Sequence, residues 1–385
     1  MIHHRSVKLF FFSLATTILA CTIPPEVIDA INRLPTPLPT ATPAPSEILY
    51  VSKLGDDDND CLSAGTACLT IKAVLGKAAD GAAIYIGPGT YADNDGSADW
   101  ILGIQDQNVS LYGAAIPGGL TTILSGGGIE DAVVIIGDVR VVLENLAIVD
   151  AGGRGIGLHV TGGAGQHVTL RNVELRNHSR VAVRVPGAAT AVFENVRITD
   201  NPQGAIANSG NLTLRHSLVR NNGSLDRGLG WGTGVIYTDG VFRLTDSTIT
   251  GNRVTEHHVI HNTGRGSMTM ERSTISGHSI GCSSVLYNSM ESTLALVNST
   301  ISGNSGGAII SFGDLSLSFT TITGNGADGL YGDSGAADPM RLRLENSLIE
   351  NNGGQDCFFA LRHATVFDRR GRNLSDGSCD FDYGG

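Results

Sequence analysis

Apolar residues return along most of this chain in one fixed frame. The pattern apolar-x-apolar-x-Asn-Ser/Val-x-Ile-x-Gly-Asn occurs nine times. Clear copies are Leu296-Val297-Asn298-Ser299-Thr300-Ile301-Ser302-Gly303-Asn304 and Leu317-Ser318-Phe319-Thr320-Thr321-Ile322-Thr323-Gly324-Asn325. One apolar slot holds Leu143, Leu170, Phe193, Leu214, Leu244, Met270, Leu296, Leu317 and Leu344. The residues two before and five after each of these are apolar too, and no polar residue enters any of the 27 slots. Alternation with a period of two predicts short strands rather than helices. Copies follow one another at 27, 23, 21, 30, 26, 26, 21 and 27 residues, which leaves room for three short strands and their turns. Such units bury their apolar sides only by stacking, each strand pairing in parallel with its copy about 4.8 Å away. The prediction is an all-β parallel solenoid with the apolar slots aligned inside.

Two turn positions support the stack. The first holds Asn145, Asn172, Asn195, His216, Asp246, Arg272, Asn298, Phe319 and Asn346; the second holds Ala151, His178, Asn201, Asn222, Asn252, His278, Asn304, Asn325 and Asn352. Asn tolerates left-handed backbone, and stacked amides bond from coil to coil. A small slot between them, with Ser217, Ser247, Ser273, Ser299, Thr320 and Ser347, offers a second polar column.

These repeats resemble the right-handed parallel β-helix of the pectate-lyase-like superfamily. More closely, they are similar to bacterial surface proteins built of Leu-Thr-Leu-x-Asn-Ser-Thr-Ile-Ser-Gly-Asn units. The stretch from Tyr50-Val51-Ser52 through Leu69-Thr70-Ile71-Lys72-Ala73-Val74 to Gly87-Pro88-Gly89-Thr90-Tyr91 resembles the part that opens such solenoids. Ile71, Val74, Leu75 and Ala78 share one helical face, which suits a helix closing the first coil. The segment from Gln355-Asp356-Cys357 to Ser378-Cys379-Asp380-Phe381 resembles the closing segment of the same proteins. Right-handedness is implied by the resemblance alone.

Composition narrows the class further. Glycine accounts for 51 of 385 residues and charged residues for 16%, which excludes coiled coils and helical bundles. The formal charge of −11 disfavours nucleic acid as a partner. The amino terminus reads as an export signal: basic residues at Arg5 and Lys8, then an apolar stretch too short to span a bilayer. Ile18-Leu19-Ala20-Cys21 resembles a lipoprotein processing site, which implies lipidation at Cys21 and attachment to a membrane. Residues 34–45 hold five prolines and form a semi-rigid spacer. The expected organisation is signal 1–20, tether 21–46, cap and first coil 47–92, repeats 93–354 and closing segment 355–385. A monomer on the bacterial cell surface is expected.

In an exported chain, neighbouring cysteines point to disulfides. Cys61 with Cys68 would staple the start of the solenoid, and Cys357 with Cys379 its end; Cys282 is left as a thiol. Asp56, Asp58 and Asp60 lie in an acidic loop suited to calcium, a solvated turn being the alternative. If Ile206, Ile236, Ile260, Leu286 and Leu330 point inward, then Ala207, Tyr237, His261, Tyr287 and Tyr331 point outward, after His159 and Arg184. Trp231, in the longest insertion, lies at the same edge. Aromatic faces stack on sugar rings and their polar tips bond hydroxyls, so this ribbon suits a polysaccharide. Catalysis on acidic glycans, as a lyase or hydrolase, would have to use Asp226, Glu256, His257 and His261. No paired-Asp motif like that of polygalacturonases and no Arg-x-Pro-x-x-Arg like that of pectate lyases occurs. The leading expectation is a non-catalytic surface protein that binds polysaccharide or a surface protein; the others are an enzyme or a plain spacer.

Overall fold

The computed structural model describes residues 45–92, 100–116, 119–128, 131–153, 155–223, 234–281, 283–333, 340–360 and 366–379. The signal, Cys21, nearly all of the tether, Asp226, Trp231 and Cys282 lie outside the described residues. Strands wind into a solenoid with three parallel ladders. The first runs from Ile48–Val51 to Val366–Arg370, the second from Gly89–Tyr91 to Leu348–Glu350, and the third from Trp100–Gln105 to Cys357–Ala360. The expected all-β parallel solenoid is the fold observed.

All 27 repeat slots are buried in one core. They also stack in the expected register, as in Val141↔Val168, Leu143↔Leu170 and Ile148↔Leu175, and again in Leu294↔Leu315, Leu296↔Leu317 and Ile301↔Ile322. A strand side chain that slips by one residue would turn outward, so an unbroken apolar column fixes each winding on the last. Truncating any one of these Leu or Ile residues to Ala costs about 2–5 kcal/mol.

The corners follow the polar slots. The nine residues of the first turn position all have positive φ, from 46° at Arg272 to 59° at Asn145. The second position is turned inward and bonded along the axis. Asn201 Nδ2 donates to Asn222 Oδ1 at 2.8 Å, Asn222 to Asn252 at 3.0 Å, Asn304 to Asn325 at 2.8 Å and Asn325 to Asn352 at 2.9 Å. His178 and His278 replace Asn in this column, each accepting a backbone N–H at Nδ1, from Ala151 and Asn252. The serine slot ladders as well: Ser217, Ser247 and Ser273 each donate a backbone N–H to the next hydroxyl at 3.0–3.2 Å. A third polar column, not foreseen from the repeat, closes the third ladder. There Asn208 donates to Thr238 Oγ1 at 3.0 Å and Asn262 to Asn288 Oδ1 at 2.7 Å.

Both ends are closed by bridges. Helix α1, Ile71–Lys77, starts at Thr70, whose hydroxyl accepts the Ala73 N–H. It buries Ile71 and Val74 and packs on Ile48–Val51 and Trp100–Gln105. Disulfides join Cys61 to Cys68 and Cys357 to Cys379, a pairing that suits an oxidising, extracellular location. The closing segment first adds one more winding. Cys357–Ala360 pairs with Leu330–Asp333, Val366–Arg370 with Arg341–Glu345, and Leu374 with Leu348. Asn373 Oδ1 then accepts the Ser347 N–H, which extends the serine column by one rung.

Candidate functional site

The third ladder carries three-to-six-residue strands whose middle side chains face outward. Its register places His159, Arg184, Ala207, Tyr237, His261, Tyr287, Ile310, Tyr331 and Phe358 in one outer column. The outward set read from sequence therefore shares one line, with Ile310 and Phe358 added. From Tyr237 onward the rings touch. His261 meets Tyr237 edge-on at 6.0 Å and Tyr287 edge-on at 4.8 Å. Phe312, at the end of the strand Gly307–Ser311, bridges Tyr287 at 5.7 Å and Tyr331 at 6.3 Å. Tyr331 stacks on Phe358 at 5.5 Å. His261 meets both tyrosines at near right angles, an arrangement aromatic pairs prefer.

His258 adds a second imidazole beside this column. It precedes the strand Ile260–Asn262, lies against Tyr287 at 4.6 Å and faces His261 at 5.8 Å. Its Nδ1 sits 2.8 Å from the Ser283 hydroxyl and 3.0 Å from that of Ser284. Burial, with further help from His261 and His257, pushes its pKa down to about 4, so the imidazole is neutral near pH 7. Tyr237 donates to Asp239 Oδ2 at 3.3 Å, and burial together with that carboxylate raises its pKa to about 12. Burial raises the Tyr287 phenol also. These phenols stay protonated and act as donors.

Earlier in the column the chemistry is polar. Asp131 accepts the Ile156 N–H at 2.7 Å with one oxygen and meets His159 Nδ1 at 2.8 Å with the other. Arg184 Nη1 lies 2.9 Å from His159 Nε2. An arginine can only donate, so Nε2 accepts and Nδ1 carries the proton toward Asp131.

The proposed catalytic residues are less gathered. Glu256 is exposed and His257 half-buried at the edge of the aromatic run. Among the described residues no three metal-ligating side chains come together. That holds for Glu256, His257 and His261, and for Asp56, Asp58 and Asp60. In the acidic loop, Asp60 accepts from the Leu62 N–H and Thr66 hydroxyl, and Asp56 accepts from the Asp58 N–H. The Lys77 ammonium reaches the Asp57 and Asn59 carbonyls, placing a cation of the chain's own in that loop.

Residues 122–275 match the family model described as the right handed beta helix region. Solved structures are similar in fold. Pectate lyase Pel9A shares 12% identity over 88% of this chain and 82% of its own, with a TM-score of 0.47. The catalytic unit of a GH87 alpha-1,3-glucanase from Streptomyces thermodiastaticus shares 14% over 80% and 65%, at 0.46. A rhamnogalacturonan lyase shares 10% over 85% and 87%, at 0.42. Among curated proteins none matches in sequence. The ladders make this chain a parallel β-helix, and the match over residues 122–275 is to a model of the right-handed form.

Proposed function

We propose that the protein is displayed outside the cell, tethered through Cys21, and binds an extended polysaccharide along the outer face of the third ladder without transforming it. The aromatic column carries this reading. Tyr237, His261, Tyr287 and Tyr331 recur on successive or near-successive windings, about 4.8 Å per winding. That repeat is comparable with the advance of one sugar along a glycan chain, so consecutive rings meet consecutive pyranose faces. Protonated phenols, the neutral His258 and the ring nitrogens of His261 supply hydrogen bonds to hydroxyls. Glycan microarrays followed by calorimetry on the exported protein test it. Tyr287→Ala and Tyr331→Ala are each expected to weaken the selected glycan by roughly three- to tenfold. An unchanged affinity in both would reject the site. Release of unsaturated or reducing ends, lost in Glu256→Gln or His261→Ala, would replace binding with a lyase or hydrolase activity.

A further inference from the structure

The second ladder presents a different surface. Over four windings its strands read Thr248-Ile249-Thr250, Thr274-Ile275-Ser276, Thr300-Ile301-Ser302 and Thr321-Ile322-Thr323. Each isoleucine is buried, which turns the hydroxyl residues on either side outward, half exposed. Register aligns them in two columns: Thr248, Thr274, Thr300 and Thr321 in one, Thr250, Ser276, Ser302 and Thr323 in the other. The result is a grid of eight hydroxyls, about 4.8 Å apart between windings and about 6.6 Å apart along each strand.

Three features set this grid apart from the other polar columns. Ser247, Ser273, Ser299 and Thr320, one residue before each strand and facing inward, spend their hydroxyls on bonds within the protein. Among the described residues none of the eight outer side chains forms a bond within the protein. The corner beside the second column is occupied by Gly251, Gly277, Gly303 and Gly324, all at positive φ, so no side chain overhangs that margin. The grid also carries no charge. It is bounded by Leu218 and Arg220 on one side and by Leu348 and Glu350 on the other.

We propose that this face binds ice. A soluble ligand satisfies one or two hydroxyls at a time, each contact worth little against bulk water. A surface that is itself a lattice of water oxygens meets all eight together, and weak contacts on a rigid array combine without further ordering cost. The rung repeat of about 4.8 Å lies close to an oxygen spacing found on the faces of hexagonal ice. Threonine methyls beside the hydroxyls favour ordered over mobile water, and the absence of aromatic rings and charges makes the grid a poor site for sugars.

The test uses the exported protein in ice that is grown slowly from a stirred solution, and in recrystallisation assays. Wild type is expected to enter the ice and to hold grain size constant. Thr274→Lys with Thr300→Lys is expected to raise the concentration required by about tenfold or more. Ser276→Tyr, a residue that strands favour, places a ring on the flat face with little strain and is expected to do the same. Tyr287→Ala, on the third ladder, is expected to leave ice uptake unchanged. Circular dichroism of each variant shows whether the solenoid persists. Exclusion of wild type from ice overturns the proposal, as does full activity in folded Thr274→Lys/Thr300→Lys protein. Adsorption to crystalline cellulose or chitin in place of ice, lost in the same variants, would give the grid to another ligand.

Discussion

Phe319 occupies the left-handed corner with φ at 51°, where five of its eight equivalents are Asn. A side chain of that bulk pays a steric penalty there that Asn largely avoids. Phe319 also interrupts an amide contact seen elsewhere at this corner, where Asn172 Nδ2 donates to Asn145 Oδ1 at 2.7 Å and Asn195 to Asn172 at 3.2 Å. Phe319→Asn would restore an amide between Asn298 and Asn346. The expected gain is about 1 kcal/mol, read as a higher denaturant midpoint with an unchanged slope. A midpoint below wild type would mean that the ring contributes packing which outweighs the strain. The corner was legible because its position relative to the apolar slots never shifts, even where its occupant is His216, Arg272 or Phe319.

At the scale of the ladder, the inward amide column carries a pH dependence. His178 and His278 are fully or nearly fully buried, at 0% and 2% exposure, and burial lowers each pKa from 6.5 to about 4. Each uses Nδ1 to accept a backbone N–H, so protonation would set donor against donor. Asp150 and Arg176 are the charged groups that act on His178, with opposing effects. The unfolded imidazole titrates near 6.5 and the folded one near 4, so the unfolded chain binds protons first. Stability is then complete above pH 6.5 and falls as the pH drops toward 4, by on the order of 3 kcal/mol per histidine. His178→Asn with His278→Asn should flatten that part of the stability–pH curve, and an equally steep curve would assign it to other groups. The sequence marked this column because it keeps a constant offset of three residues from the second-ladder apolar slot. The Asn208–Thr238–Asn262–Asn288 column was not legible, because its occupants change between Asn, Thr and, at Ser311, Ser from winding to winding. Phe312 was hidden because it stands just outside the third-ladder strand Gly307–Ser311, while Tyr237, His261 and Tyr287 could be placed from their isoleucine and leucine neighbours.

Across the whole molecule each winding touches only the windings beside it, so stability is close to a sum of local terms and the ends open first. The carboxyl end is the more exposed case. Its final winding is closed by the Cys357–Cys379 bridge, which spans 22 residues, and by the Asp356 carboxylate, which accepts the Asp376 N–H at 2.9 Å. Cys379→Ser should cost about 2–4 kcal/mol, the usual worth of a bridge of this span. In a compact globule that loss would be shared by every residue. In this solenoid it should be confined to the last windings. Hydrogen exchange is then expected to rise in Leu348–Glu350, Cys357–Ala360 and Val366–Arg370, while Arg140–Val149 and His167–Arg176, seven or more windings away, keep their protection. The aromatic column would feel the change at Phe358 and Tyr331 before Tyr287, so glycan binding should shorten from that end rather than vanish. Uniform loss of protection along the chain would show that the windings unfold as one unit, and that the closing bridge stabilises the entire column.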